Sequence, residues 1–158
     1  MFSIRSARPG DESAVHAIVS GVLAEYGLTL DPAGTDSDLD DLTASYHDRG
    51  GVFRVVVNST GEIVGCGGLY RLSEAEAEIR KMYLRPEVRG RGLGRELLED
   101  LVAFARRHHV GRLTLETASV LTRAIAMYQR FGFVEYTPGH LAERCDQAFE
   151  MNISPEAL

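Results

Sequence analysis

The chain has 158 residues, of which 44% are hydrophobic and 25% charged, and its formal net charge at pH 7 is -6. This length fits one domain with a sizeable core, and the composition is typical of a soluble globular protein. The acidic balance argues against nucleic acid and anionic membranes as partners, because both attract clustered positive charge.

Hydrophobic periodicity and turn residues predict a succession of strands and helices. Helix 1 is expected to begin after Asp11, its N-cap, and to stop at Gly27. The predicted strands cover residues 2–5, 52–57, 63–70, 79–84, 112–116, 133–136 and 148–153. The other predicted helices cover residues 36–47, 93–109 and 122–131. This order indicates a mixed α/β sheet in a single domain over residues 1–158.

The chain shows no sign of a membrane or secretory segment. No apolar run is long enough for a membrane helix, and residues 1–5 lack the features of a secretory signal. We therefore expect a cytoplasmic protein with no membrane partner.

The chain has two cysteines: Cys66 lies in an apolar strand and Cys145 near the C-terminus. Two cysteines do not indicate a disulfide framework, and we expect both to be small core side chains.

The most informative segment joins the predicted strand at residues 79–84 to the helix that begins near Leu93. Its sequence is Arg89-Gly90-Arg91-Gly92-Leu93-Gly94, followed by Arg95. Alternate glycines let the backbone approach an anion, and the following helix presents unpaired N–H groups and the positive end of its dipole. The arginines add cationic side chains. The segment predicts a site for a phosphorylated ligand, with a glycine-rich turn among solvated arginines as the alternative.

Three common phosphate loops fit this segment less well. The Rossmann pattern G-x-G-x-x-G requires a third glycine three positions after the second. Here the glycines are Gly90, Gly92 and Gly94, and no later glycine has the required spacing. A Walker loop needs Lys followed by Ser or Thr, and this pair occurs nowhere in the chain. A kinase glycine loop needs a longer chain and catalytic segments that are absent. Dinucleotide and nucleoside triphosphate sites are therefore disfavoured.

Residues 78–94 resemble motif A of the GNAT superfamily of acyl-CoA-dependent N-acyltransferases. The family's core pattern is Gln/Arg-x-x-Gly-x-Gly/Ala, which residues 89–94 match. Residues 124–133 are similar to the family's second signature, A-x-x-x-Y-x-x-x-G-F. The resemblance covers essentially the whole chain. It implies a GNAT-like, mostly antiparallel central sheet that is splayed at a strand bulge and has flanking helices.

The resemblance also implies acetyl-CoA as cosubstrate and no metal ion. A backbone N–H of the motif strand would polarise the thioester carbonyl, whatever the side chain. The pyrophosphate would lie on the amides of the glycine loop, although for Arg91 a solvated side chain is an alternative. The residues implied to contact the coenzyme are Met82, Tyr83 and Leu84 on the strand, and Arg89, Gly90, Arg91, Gly92, Leu93, Gly94 and Arg95 on the loop.

Two residues are implied to carry protons. Tyr128 occupies the family's tyrosine position, where a phenol would protonate the departing thiolate; without the motif it would be a core tyrosine. Glu78 is the candidate base for the acceptor amine, since strand alternation places it on the face of Met82, four residues later. Glu76 and Glu116 are weaker candidates, because carboxylates at strand ends are usually solubilising.

One position departs from the family, and other segments carry little motif content. Many members carry Asn seven residues before the tyrosine, where this chain has Leu121, so the coenzyme contacts there are left open.

Acceptor specificity is expected in the first two helices, in residues 28–35 and in residues 137–146. The acidic residues of the second helix are interpreted as a solvated face rather than a polyamine site. They are Asp36, Asp38, Asp40 and Asp41.

Together, these patterns predict an enzyme that transfers acetyl from acetyl-CoA to a primary amine. The expected acceptor is a small molecule or an amino-acid-like compound, attacked directly in a ternary complex. The alternatives are a noncatalytic acyl-CoA-binding regulatory module, and an acyltransferase that uses a longer acyl-CoA or a hydroxyl acceptor. A homodimer is left open.

Overall fold

The structure, a computed structural model, describes residues 1–154 as a seven-stranded sheet with helices packed on its two faces. The strands are β1 Ser3–Ser6, β2 Val52–Val57, β3 Ile63–Arg71, β4 Glu76–Leu84, β5 Arg112–Thr117, β6 Val134–Tyr136 and β7 Gln147–Asn152. The helices are α1 Glu12–Glu25, α2 Leu42–Ser45, α3 Leu93–Arg107 and α4 Thr122–Phe131. Short 3-10 turns cover Ser37–Asp40, His47–Arg49 and Pro86–Val88.

The sheet is mixed and mostly antiparallel, as predicted. Its strand order is β1-β2-β3-β4-β5-β7-β6, and β4 and β5 are the parallel neighbours. The chain between these two strands forms α3, which makes the crossover that a parallel pair requires. No helix within residues 1–154 has the length and apolar character needed to cross a bilayer.

Each face of the sheet has its own apolar core. One core is built around Leu97, Leu98 and Leu101 of α3, and the other packs α1 and the following segment against the opposite face. The central strands therefore carry apolar residues in both directions: Val55 belongs to the α1 core and Val56 to the α3 core. This explains why β2 is a continuous apolar run rather than an alternating one.

Strand β4 contains a bulge. Cys66 of β3 pairs with Tyr83, but Gly68 pairs with Arg80, so Lys81 and Met82 together lie opposite one residue of β3. Lys81 has a φ of 56°, a conformation that non-glycine residues rarely adopt. An inserted residue of this kind reverses the alternation of side chains beyond it.

The bulge corrects one expectation from the sequence. Met82 packs against the core under α3. Glu78 lies opposite Tyr70 of β3, and Tyr70 packs against the core under α1. Glu78 and Met82 are therefore on opposite faces of the sheet, and the prediction that they share a face is wrong because it assumed unbroken alternation.

Strands β4 and β5 separate beyond the bulge. Their parallel pairing runs from Glu76 with Arg112 to Ile79 with Leu115 and then stops. Strand β4 nevertheless continues to Leu84 and β5 to Thr117. The sheet is splayed at this point, as predicted, and the gap leaves one edge of β4 without a strand partner.

The prediction of one continuous helix over residues 36–47 is wrong. The segment is broken into a 3-10 turn, the four-residue helix α2 and a second 3-10 turn. Asp41 is extended, and its carboxylate accepts a hydrogen bond of 3.0 Å from the amide of Ala44, which starts a new turn. Asp36 likewise accepts from the amide of Asp31 at 2.8 Å. Short acidic side chains that bond to nearby amides compete with a continuous helix.

Candidate active site

The loop between β4 and α3 presents a row of free amide groups. Gly90 and Gly92 have φ values of 77° and 80°, and Gly92 is the N-cap residue of α3. A Cβ at either position would meet no atom within 4 Å, so the backbone conformation, not space, requires glycine there. Within residues 1–154, the amides of residues 90–95 donate to no other protein atom. Such a row at a helix N-terminus is an anion cradle.

The three arginines of this loop have different environments. Arg89 donates to both carboxylate oxygens of Glu25 at 2.9 Å and to the carbonyl of Leu84 at 2.9 and 3.1 Å. Its guanidinium thus ties the loop to α1 and β4. Arg91 lies over the ring of Phe2 at 5.8 Å, away from the cavity described below. Arg95 pairs with Glu99 at 2.9 Å and borders that cavity.

One large cavity, of about 1060 Å³, extends from the glycine loop through the gap between β4 and β5 to the segment after α1. It is lined by Glu78, by Tyr128 and by every residue implied to contact the coenzyme except Arg91. The structure therefore brings together Met82, Tyr83 and Leu84, the glycine loop with Arg89 and Arg95, Tyr128 and Glu78. Leu121, at the position of the family's Asn, also borders the cavity.

Tyr128 is positioned by α4 with its hydroxyl unpaired. The residue is 6% exposed, and its ring packs edge-on against Phe133 at 5.9 Å. The hydroxyl makes no hydrogen bond to any described side chain, and the residue borders the cavity. Burial raises the pKa of this phenol well above its ordinary value, and nearby Tyr83 raises it further. The group is therefore protonated at neutral pH and able to donate.

Glu78 is a buried carboxylate with one strong partner. It is 9% exposed and accepts a hydrogen bond from Nε of Arg80. Burial raises the pKa of Glu78, and the charge of Arg80 only partly offsets this effect. Glu116, across the gap, also raises the Glu78 pKa. A carboxylate shifted toward neutrality is better matched to a general base than an ordinary one.

The two weaker carboxylate candidates, Glu116 and Glu76, differ in their position relative to the cavity. Glu116 borders the cavity, but its carboxylate accepts from the amide of Ala142 at 2.8 Å. Glu76 pairs with Arg112 at 2.6 Å at the start of β4 and does not border the cavity. Within residues 1–154, no group of three or more His, Cys, Asp or Glu side chains is arranged to hold a metal ion.

A buried charge network forms the wall of the cavity opposite the glycine loop. The Nζ of Lys81 lies 3.0 Å from Asp38 and 3.3 Å from Asp36. Arg144 donates to both oxygens of Asp36 at 2.6 and 2.7 Å, and Tyr46 donates to Asp38. Burial alone would raise the pKa of Asp36, but the ion pair with Arg144 holds it below its ordinary value.

This network corrects the interpretation of the acidic segment. Asp36 and Asp38 are 0% and 8% exposed, so they are not part of a solvated face, although Asp40 and Asp41 are exposed. No local sequence pattern predicts this network, because the residues of the network come from separate segments of the chain. Asp36 and Arg144 are 108 positions apart.

The two cysteines also differ. Cys66 is fully buried, donates to the carbonyl of Lys81 at 3.2 Å, and has its pKa raised by burial to about 12. This agrees with a core side chain. Cys145 is half-buried and borders the cavity, so its assignment to the core is wrong. Burial raises the pKa of Cys145 to about 11, which leaves its thiol protonated at neutral pH.

Sequence reasoning missed two exposed arginines on α4. Arg123 and Arg130 both border the cavity on the side of the glycine loop. They are seven residues apart, so they lie on the same face of the helix. That spacing was a usable signal for a second basic strip beside the loop.

Comparison with known proteins agrees with this geometry. Residues 20–133 match the family model described as the acetyltransferase (GNAT) family. The chain belongs to the GNAT acetyltransferase family. The N-acetyltransferase YjgM of Escherichia coli (strain K12) is 38% identical to this GNAT chain, over 82% of the chain and 81% of the relative. The resemblance inferred from the motifs is confirmed, and with it the assignment as an acetyl-CoA-dependent acetyltransferase.

Solved structures share the fold of this GNAT protein over nearly its whole length. An acetyltransferase of the GNAT family from Staphylococcus aureus Mu50 is similar with a TM-score of 0.91 and 20% identity, covering 96% of this chain and 99% of the other. YncA from Salmonella typhimurium, solved with its cofactor acetyl-CoA, has a TM-score of 0.75 and 21% identity, covering 100% and 97%. At these identities the likeness shows the fold.

Proposed function

We propose that this chain transfers acetyl from acetyl-CoA to a primary amine of a small-molecule or amino-acid-like acceptor, by direct attack in a ternary complex. One observation carries the proposal. A single cavity joins the free amides of residues 90–95, the unpaired edge of β4, the protonated Tyr128 and the buried Glu78. These are the groups that acyl transfer to an amine requires.

The donor set of the loop fits the coenzyme. Bound acetyl-CoA supplies an electrophilic thioester carbonyl and a thiol leaving group. The amides of residues 90–95 hold its pyrophosphate, and Arg95, Arg123 and Arg130 add positive charge beside them. The edge of β4 beyond Ile79 has no partner in β5, so its backbone is available to the pantetheine arm.

Proton transfer is divided between two groups in different environments. The Glu78 carboxylate accepts a proton from the acceptor amine, because burial has raised its proton affinity. The Tyr128 hydroxyl, which is protonated at neutral pH, donates a proton to the leaving sulfur. A base must be deprotonated and an acid protonated at the start of the reaction, and these requirements set the direction of each transfer.

Calorimetric titration with acetyl-CoA tests the coenzyme site. Gly92→Glu places a carboxylate in the cradle and should weaken binding by roughly tenfold or more. Gly61→Glu is the matched control, because Gly61 also has a positive φ of 85° and free space but lies in the hairpin turn between β2 and β3, outside the cavity. Binding by the parent and the control, with loss only in Gly92→Glu, supports the site.

Thiol release in the presence of amines then tests catalysis. Failure of the parent to bind acetyl-CoA would overturn the proposal. Binding without thiol release for any amine would favour a noncatalytic acyl-CoA-binding module. Faster thiol release with longer acyl-CoAs than with acetyl-CoA would favour the alternative acyltransferase.

A further inference from the structure

Arg80 is held in one orientation at the acceptor side of the cavity, the part bordered by α1, residues 28–45 and residues 137–146. Its guanidinium carbon lies 3.7 Å from the ring centroid of Tyr70. Its Nε donates to the carboxylate of Glu78. The ring and the carboxylate together restrict the guanidinium plane, although 30% of the side chain is exposed.

The terminal nitrogens of Arg80 are free. Within residues 1–154, Arg80 donates to Glu78 and to no other hydrogen-bond acceptor, and none of its nitrogens is sealed from solvent without a partner. Its neighbours differ in this respect. Lys81 contacts Asp36 and Asp38, and Arg144 uses both terminal nitrogens on Asp36. Among the arginines that border the acceptor side within residues 1–154, Arg80 has both terminal nitrogens available to a ligand, whereas Arg144 does not.

We infer that Arg80 binds a carboxylate of the acceptor, so that the acceptor class is a free amino acid or a close analogue with its amine beside a carboxylate. The inference rests on the proposed function. Two parallel N–H groups on one plane match the two oxygens of a carboxylate, and such bidentate pairs are among the strong charge-assisted hydrogen bonds.

The spacing of Arg80 and Glu78 agrees with this acceptor class. The two residues are separated by one position on β4, before the bulge, and therefore project from the same face. In an α-amino acid, one carbon joins the amine to the carboxylate. A carboxylate on the terminal nitrogens of Arg80 therefore brings the amine next to Glu78, the proposed base.

The other charges facing this part of the cavity favour the same orientation. Glu78 and Glu116 border it and repel a free carboxylate. Lys81 already has its charge balanced by two carboxylates. An amine is attracted by the acidic groups, and a carboxylate finds unsatisfied donors at Arg80. The acceptor is therefore oriented by charge as well as by shape.

The test compares free L-amino acids with their carboxamides, using acetyl-CoA and thiol release by the full-length protein. The carboxamide keeps the size of the acceptor and removes its negative charge. We expect the parent to favour the acid in kcat/KM by about tenfold or more, the order of a charge-assisted hydrogen-bonded pair. In Arg80→Gln this preference should fall to near one. Arg80→Lys should be intermediate, because an ammonium lacks the planar fork.

The preference ratio separates this role from a general loss of activity. Arg80 also contacts Glu78, so Arg80→Gln is expected to lower turnover of the acid and the amide alike, whereas only a carboxylate contact changes their ratio. Comparing variants also cancels the difference in amine basicity between the two acceptors. Arg49→Gln is the matched control: Arg49 lies over the same Tyr70 ring at 4.6 Å but is outside the cavity. Its ratio should equal that of the parent.

The outcomes distinguish this inference from the proposed function. Acetylation of amides or simple amines as efficient as that of the acids would overturn the inference alone. An acid preference that survives in Arg80→Gln would do the same. If acetyl-CoA binds but no amine is acetylated, the proposed function fails and the inference fails with it.

Discussion

At the residue scale, the proposed proton transfers rely on two groups, Glu78 and Tyr128, and burial raises the pKa of both. The higher pKa makes the Glu78 carboxylate a stronger base, whereas the Tyr128 phenol is protonated at neutral pH and so can act only as a donor there. Arg80, and to a smaller extent Lys81, lower the proton affinity of Glu78 without cancelling the effect of burial.

We expect Glu78→Gln and Tyr128→Phe each to lower kcat by roughly 100-fold, the order of one general acid–base group. Both substitutions preserve shape, so binding of acetyl-CoA should change little. In the parent, log kcat/KM should rise with pH through an apparent pKa above that of an ordinary glutamate, since the base must be deprotonated. Glu78→Gln should lose this acidic limb, and Tyr128→Phe should keep it.

Glu76→Gln is the control for this prediction, because Glu76 lies on the same strand but outside the cavity. Its rate and pH profile should match those of the parent. An unchanged kcat in Tyr128→Phe would assign the tyrosine to packing against Phe133. An acidic limb that persists in Glu78→Gln would assign the base to another group, with Glu116 the first alternative.

At the element scale, the β4 bulge decides which side chains face the proposed acceptor side of the cavity. It places Lys81 on the same face as Glu78 and Arg80, where Lys81 reaches Asp36 and Asp38. Arg144 reaches Asp36 from the loop between β6 and β7. One buried carboxylate thus joins the segment after α1, the bulge and the last loop, so the walls of the acceptor side are held together by ion pairs rather than by backbone pairing.

We expect Asp36→Asn to reduce the free energy of unfolding by about 3 kcal/mol, because removing one partner of a buried pair leaves the cations uncompensated. The folded-state pKa of Asp36 is lowered. Its contribution is therefore present above the unfolded pKa, near 3.9, and is lost as pH falls through the folded value. Urea denaturation of parent and variant at several pH values measures this difference.

Asp40→Asn is the control for Asp36→Asn. Asp40 is an exposed acid whose pair with His16, at 3.4 Å, lies at the surface. Its substitution should change the unfolding free energy by about 0.5 kcal/mol or less. Equal stability of parent and Asp36→Asn at neutral pH, or a difference that does not shrink in acid, would contradict the role of the network.

At the scale of the whole molecule, a chain with a net charge of -6 must bind an anionic coenzyme. The free amides of the glycine loop carry no net charge, and the guanidinium of Arg89 is already paired with Glu25. Arg95 is likewise paired with Glu99. The positive field on the glycine-loop side of the cavity therefore comes mainly from Arg123 and Arg130, which border it.

We expect the double variant Arg123→Gln/Arg130→Gln to raise the KM for acetyl-CoA several-fold while leaving kcat nearly unchanged, because these side chains act on binding rather than on the reacting groups. The salt dependence of KM should also become shallower, since exposed charges are screened. Steady-state kinetics at two ionic strengths measures both effects. Arg107→Gln, at the exposed end of α3, is the control. An unchanged KM in the double variant would show that Arg123 and Arg130 do not contribute to coenzyme binding.

Most elements and the glycine-loop lining of the cavity were predictable because their signals are local. Gly27 has a φ of 71°, and the amide of Leu28 bonds to Leu23 at 2.9 Å, so α1 ends where the glycine predicted. Helix α4 spans residues 122–131 as predicted. Asp11 does stand at the N-cap position, but its carboxylate bonds to Arg5 and to the amide of Arg8 instead of capping the helix.

The sequence by itself determined the family, the glycine loop and the place of Tyr128, because each depends on residues close together in the chain. Only the tertiary structure decided the burial of Asp36, the reversal of faces at the β4 bulge and the free terminal nitrogens of Arg80. These features depend on strand register and on partners far apart in sequence. One residue inserted into β4 moves a side chain to the other face without changing the composition of the strand.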